Sequence, residues 1–425
     1  MQPQPKPALA APGALGPLRV PDYRRLLSSN TLWWQAIFME SLVVGWLVLD
    51  MTDSAWLVAL VGFCRSLPML LFGFYAGLIA DRMGRRKIIV MAQSLNFSLY
   101  VVTLLLIASG QLRVWHLALT AFGLGSAWAL DWPARRALLP DLVGKERTVD
   151  AMLLENFAQG WARILGPLAA GWLVAAFGPA GCYAVMAALS GTALVNVYAL
   201  SQHPVPRTNL RPAASPWTVL GETLQYVKRS QPILGVMLIT VVMNMLIIPY
   251  MTLLPVFARD VLGQGPVGLG ILGMASGIGS FIGLGVTNYI RRRVSNGWIF
   301  TAGTFGMALA LVIFSQSSIY AVSWGLLLCV GMGQACFGIM QSSIILLTAS
   351  DEMRSRTMGI LVLAIGSDPV GKLQTGALAQ NFGAPFAVGL QAALGAVAII
   401  AIAVMLPGLR ARPKVTVVSV PAASD

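Results

Sequence analysis

Apolar runs of about twenty residues, set apart by short polar or basic segments, recur along most of this chain. A run of that length, wound as a helix, matches the hydrocarbon thickness of a bilayer. Inside a bilayer only helices and closed barrels satisfy their own backbone polar groups. The runs therefore predict an all-α integral membrane protein of about twelve transmembrane helices. The candidate spans are 27–49, 55–80, 88–109, 114–133, 151–177 and 180–200, then 233–257, 267–290, 297–315, 319–339, 358–380 and 385–406.

Composition agrees. Of the 425 residues, 57% are hydrophobic and 11% charged, against roughly 25% charged in a soluble domain. Too few charges remain to coat a water-facing surface, so lipid must be the solvent for most of the chain. The net charge of +13 raises the question of nucleic acid, but the basic residues fall in small groups between apolar runs. That distribution fits an anionic cytoplasmic leaflet rather than a nucleic-acid groove. With the N-terminus inside, cytoplasmic segments carry 24 of the 29 Lys and Arg residues, while external loops hold only Arg113 and Arg259. Both termini are thus expected in the cytoplasm. The four cysteines lack metal-ligand spacing, and His116 and His203 have no evident metal partner, so neither a metal site nor a cofactor is expected. The first 26 residues have no apolar core of a cleavable signal peptide and read as a cytoplasmic tail.

The polar stretch 201–231, with a candidate amphipathic helix at 217–229, divides the spans into two sets of six. The expected organisation is a tail (1–26), a six-helix bundle (27–200), a cytoplasmic loop (201–231), a second six-helix bundle (232–406) and a tail (407–425). An internal repeat supports it: Asp50 aligns with Asp260, which places Asp81-Arg82 on Arg291-Arg292, and Gly123-Leu-Gly aligns with Gly331-Met-Gly. Parallel halves of this kind occur in transporters.

Six motifs go further. The second span closes abruptly on Gly77-Leu-Ile-Ala-Asp81-Arg82-Met-Gly84-Arg85-Arg86-Lys87. With Arg65-Ser-Leu-Pro68, Pro133-Ala-Arg135-Arg136, Gly166-Pro167-Leu-Ala-Ala-Gly171, Leu254-Pro-Val-Phe-Ala-Arg259-Asp260 and Asp351-Glu352-Met-Arg354-Ser-Arg356, it resembles the major facilitator superfamily, in particular its branch of drug and siderophore exporters, the enterobactin and macrolide exporters among them. The resemblance runs from about Asp22 to Leu406. It implies two six-helix bundles around a central cavity that opens alternately to each side. It also implies a gating role for Gly77, Asp81, Arg82, Gly84, Arg85 and Arg86, with Arg85 pairing both Asp81 and Asp131. Gly166 and Pro167 would kink helix five, a feature the family associates with export, although Ala170 here replaces one of the two final glycines.

Ionisable groups at bilayer depth are costly and mark cavities or pairs. Glu40 and Arg65 lie at matching depth on consecutive helices, Arg163 is near the middle of helix five, and Asp368 and Lys372 are four apart on one face of helix eleven. The two acids are the candidates for proton coupling, with fixed salt bridges as the competing reading. Among related antiporters an acid on helix one is common, which puts Glu40 first. Glu155, one turn into its helix, is expected to reach water, and Trp33, Trp34, Trp46 and Trp56 to sit in interfacial belts. Arg65, Arg163, Asn244, Gln334 and Lys372 are the candidate substrate contacts. The deep charges sum to +1, which favours an anionic or zwitterionic substrate. The expected function is a proton-coupled exporter of a small organic molecule, acting as a monomer in the bacterial inner membrane with the bilayer, protons and substrate as its partners and no nucleic acid. An importer of the same fold and a non-transporting sensor are the alternatives. An enzyme would need nucleophile–base or metal clusters, and a nucleotide-driven pump a phosphate-binding loop; the sequence has neither.

Overall fold

The computed structural model describes residues 15–201 and 216–411, the side chains of residues 73–82, 145, 216–219 and 351 apart. Every regular element among them is helical. The chain begins with α1 (Pro21–Thr52), α2 (Ala55–Met83), α3 (Arg85–Ala108), α4 (Val114–Val143) and α5 (Thr148–Tyr198). The amphipathic α6 (Pro216–Arg229) follows, close to its expected bounds. Then come α7 (Gln231–Val242), α8 (Leu254–Val256), α9 (Pro266–Ile290), α10 (Asn296–Gln316), α11 (Tyr320–Thr348), α12 (Asp351–Ile365), α13 (Asp368–Phe382) and α14 (Ala384–Met405). Among the described residues, nine helices are long and apolar enough to cross a membrane.

Local chemistry sets the boundaries. The Ser54 hydroxyl caps α2 by accepting from the Leu57 amide (3.3 Å), and Ser295 caps α10 through Trp298 (3.4 Å). Gly84, at φ 85°, turns α2 directly into α3, a conformation that costs a side-chain-bearing residue. The 51-residue α5 is two helices joined at Gly178, which adopts φ 67° and ψ 179°.

Two predicted spans depart from simple helices. The span expected at 233–257 starts as α7 but continues through a π turn (Met243–Ile247), a 3-10 stretch (Ile248–Leu253), α8 and a second π turn (Phe257–Val261). Pro249 and Pro255 each remove an amide from the helical ladder, and the chain answers by changing pitch. The span expected at 358–380 is interrupted at Gly366-Ser367, because Pro369 has no amide to bond back to Ile365. Its second part starts with Asp368, whose carboxylate suits the positive end of a helix. By contrast, α5 keeps helical backbone angles through Pro167, and its break at Gly178 falls between the spans expected at 151–177 and 180–200.

Helices α1 to α5 pack chiefly on one another, α1 on α5 and α2 on α4, while α9 to α11 and α14 form a second set. The sets meet where α5 lies on α9 and α2 on α13. Glycines make these contacts tight. Gly125 of α4 rests on the Arg65 carbonyl of α2, and Gly331 of α11 rests on the Ser276 carbonyl of α9. Those two contacts fall in the segments aligned by the internal repeat. At the α5–α9 crossing, a Cβ on Gly171 would lie 3.1 Å from the Gly270 Cα, so backbone meets backbone. Replacing Gly171 with Leu is therefore expected to separate α5 from α9 and abolish a monodisperse peak in size-exclusion chromatography. Recovery of a wild-type peak would mean that this crossing is looser than its geometry indicates.

Candidate functional site

A cavity of about 280 Å³ lies between α1, α2, α5, the 3-10 and α8 segments, α9 and Lys372 of α13. Its walls are largely apolar, with Phe38, Val44, Val61, Leu254 and Leu272 among the lining residues. Four charged side chains break that surface: Glu40, Arg65, Arg163 and Lys372.

The Arg65 Nε lies 3.4 Å from Glu40 Oε2. The pair is loose, since neither Glu40 Oε2 nor Arg65 Nη1 has a hydrogen-bond partner, although Glu40 is only 2% exposed. Lys372 is held more firmly, 2.8 Å from Asp368 Oδ2 and donating to Ser66 Oγ at 2.5 Å. That hydrogen bond ties α13 to α2. Arg163 donates to Ser280 Oγ at 3.5 Å and lies 5.6 Å from the centre of the Phe38 ring; among the described residues it has no carboxylate partner. The lining thus presents three cations and one anion, with Asp368 behind Lys372.

A polar latch closes one end, termed here the Asp53 end; the opposite one is the Gly84 end. Arg259 forms an ion pair with Asp53 (2.8 Å) and donates to the Leu49 carbonyl (3.1 Å). Gln380 of α13 accepts from the Ser54 hydroxyl (3.0 Å) and the Trp56 amide (3.2 Å). Both clasps join the first set of helices to the second.

A second polar centre lies deeper toward the Gly84 end, inside the first set. Arg135, 2% exposed, donates to Asp131 (2.8 Å), Ser29 (3.1 Å), Asn30 and Gln93 (3.2 Å). Its guanidinium lies 4.8 Å from the centre of the Trp33 ring. Asn30 in turn donates to Glu155. Side chains from α1, α3, α4 and α5 thereby converge on one arginine.

The family of transmembrane secretion effectors matches residues 12–422. The chain belongs to that family. It is a transporter of the major facilitator type, not an enzyme, and a multi-pass protein of the cell membrane. The staphyloferrin A transporter of Staphylococcus aureus is 24% identical over 359 residues, 84% of this chain and 89% of that protein. The enterobactin exporter EntS of Salmonella typhi is 25% identical over 332 residues, 77% and 78% of the two chains. Among solved structures, an inward-facing, unoccupied bacterial homologue of the human lysosomal transporter Spinster superposes with a TM-score of 0.73. It shares 14% identity and covers 92% of this chain and 99% of its own.

For this family member, several sequence expectations need correction. Asp131 does not pair with Arg85; it is bound by Arg135 one turn along α4, while Arg85 bonds Asp141 (2.5 Å) and the Ala137 carbonyl (2.6 Å). The span expected at 114–133 stops short of Arg135, whereas α4 runs on to Val143 through both of its prolines. Arg86 donates to the Tyr198 carbonyl at 2.6 Å, and the expected gating side chains of Gly77, Asp81 and Arg82 lie outside the described residues. Asn244 and Gln334 do not line the cavity: Asn244 bonds back to the Thr240 carbonyl of its own helix (2.8 Å), and Gln334 lies on α11. Glu155, half-buried, accepts a hydrogen bond from Asn30, and Trp33 and Trp34 are buried instead of belonging to an interfacial belt. The signal missed for this second centre was the four-residue spacing of Asp131 and Arg135 on one helix face.

Proposed function

We propose that the chain is a secondary active exporter that carries a small organic anion out across the bacterial inner membrane by alternating access. Twelve spans with cytoplasmic termini follow when α4, the two parts of α5 and the α12–α13 pair are counted with the other apolar helices. The observation that carries this reading is the cavity lined by Arg65, Arg163 and Lys372 against the single carboxylate of Glu40. Counting Asp368 behind Lys372, one positive charge remains uncompensated. A bound anion cancels it, so the loaded cavity closes around a neutral set of charges at lower desolvation cost than the empty one. The charge-based orientation puts the Asp53 end outside, so the Arg259 and Gln380 clasps seal the external face while the cavity awaits substrate from within. Likeness to transporters of siderophores supports an oxygen-rich, acidic cargo.

Coupling to protons rests on Glu40, whose Oε2 has no hydrogen-bond donor. Exchange requires that substrate and proton exclude each other. Charge alone would do the opposite, because a nearby anion favours protonation of a carboxylate. Exclusion must therefore be steric: cargo seated against Arg65 covers Glu40, whose remaining access is through the cavity.

The test is efflux from proteoliposomes, with a pH gradient and a membrane potential imposed separately, using citrate-type and catechol-type acids beside cationic dyes. Export of acids under an inward proton gradient is expected. Uptake in that direction would make the chain an importer, and preference for cationic dyes would refute the anion assignment. Arg259→Ala, which removes the external clasp but no cavity charge, is expected to expose a cysteine introduced by Ser41→Cys in the cavity wall to external reagents several-fold faster while the protein still folds, since an exposed pair adds only about 0–1 kcal/mol. The labelling rate at that position would read this change, and an unaltered rate would show that the clasp does not gate.

A further inference from the structure

We infer that an apolar crevice between α9, α10 and α11, at the Gly84 end, binds an acyl chain of an anionic phospholipid, with the lipid phosphate taken by the arginines at its mouth. The crevice encloses about 310 Å³ and is separate from the transport cavity. Val286, Ile290, Val294, Ile299 and Ala302 are among its walls. Its polar side chains other than Trp298 are Thr287 and Cys336, whose Oγ1 and Sγ are 3.1 Å apart and satisfy each other. Water needs two to four polar partners to occupy such a space, and Thr287 and Cys336 are already paired with each other. A hydrocarbon chain needs none. From Trp298 to Gly303 the depth is about 7 Å along the helix, enough for the upper methylenes of one chain.

The mouth selects the headgroup. Arg410 lies with its guanidinium 5.1 Å from the centre of the Trp298 ring, and its Nε is buried without a hydrogen-bond partner. The Ser295 hydroxyl holds Arg410 in place by donating to its carbonyl (2.8 Å). Arg291 and Arg292 are exposed on the turn that joins α9 to α10, and the Arg293 guanidinium lies 5.6 Å from the centre of the Tyr289 ring. No Asp or Glu occurs between Asp260 and Asp351, so every charged residue from Pro266 to Thr348 is positive. Tyr289 and Trp298 are both largely exposed, the placement of aromatic residues at headgroup level. Cations at headgroup level above an apolar slot are complementary to a lipid with a negative phosphate, and less so to one whose phosphate is balanced by choline. The cytoplasmic leaflet follows from the proposed orientation; binding does not depend on it.

The test uses the full chain in an uncharged detergent, with thermal unfolding followed while phosphatidylglycerol, phosphatidylcholine of the same chains, glycerophosphoglycerol or inorganic phosphate is added. Phosphatidylglycerol is expected to raise the midpoint by about 3 °C or more beyond phosphatidylcholine, since a ligand of the folded state stabilises it. Neither chainless anion should reproduce the shift. Arg410→Gln is expected to remove most of the difference between the lipids, and Ala302→Phe, which fills the slot from its lipid-facing side, to remove the response to phosphatidylglycerol. Equal shifts with both lipids, or an undiminished response in Ala302→Phe, would overturn the proposal. So would a full shift from inorganic phosphate. If a variant does not fold, native mass spectrometry of the wild type from mixed micelles decides: preferential retention of phosphatidylglycerol supports the site, and indiscriminate retention refutes it.

Discussion

Glu40→Gln is expected to abolish efflux driven by a pH gradient while leaving exchange of labelled for unlabelled substrate at equilibrium. The amide keeps the shape of the side chain but cannot bind and release a proton in this range. A loss of at least about tenfold in gradient-driven rate is expected, equivalent to a rise of about 1.4 kcal/mol or more in the activation barrier. Exchange needs only the cavity and its cations, which remain. The substitution also leaves Arg65 without its carboxylate, so reduced thermal stability should accompany it. Asp368→Asn provides the comparison. Asp368 is bonded to Lys372 and starts α13, so its loss should weaken stability and substrate affinity rather than proton dependence. If Glu40→Gln still follows the pH gradient, the Glu40–Arg65 pair is structural. If both variants do, coupling lies elsewhere or the membrane potential alone drives export.

Arg135→Gln should produce the largest loss of stability of any single change proposed. Asp131 is fully buried, and Arg135 is its hydrogen-bond donor. Removing one partner of a buried ion pair typically costs about 3–5 kcal/mol, because the remaining charge is left without solvent or counterion. In thermal unfolding that corresponds to a fall on the order of 10 °C. The double variant Asp131→Asn with Arg135→Gln should recover a large part of it, since no charge is then stranded. A single variant that unfolds within a degree of wild type, or a double variant no better than the single, would show that the network is not a stability centre. The first helical set is the region expected to loosen, because Arg135 joins side chains of α1, α3 and α4 directly and reaches α5 through Asn30 and Glu155.

The clearest part of the sequence was the spacing of its apolar runs. Gly84, in the motif that closes the second span, is equally local: α2 ends and α3 begins there. The depth argument that matched Glu40 to Arg65 also held, since equal distance from a shared helix end fixes height. It could not fix rotation. Asn244 and Gln334 have suitable depth but do not face the cavity, and nothing in a uniformly apolar helix reveals which face is inward. Helix α4 differs for another reason: it continues past the span expected at 114–133 and carries Arg135, one of the basic residues counted as cytoplasmic, into a buried network.

The sequence by itself determined that this chain lies in a membrane as a bundle of helices, how its basic residues are distributed along the chain, and which family it belongs to. Those properties depend on transfer free energies and local propensities, which are set by residue type and spacing. Only the tertiary structure decided which charges meet: Lys372 with Ser66, Arg259 with Asp53, Arg135 with Asp131, and Arg163 with no carboxylate among the described residues. Such pairings depend on the azimuth of each helix and on how closely its glycines let a neighbour approach, and those are properties of the packed whole.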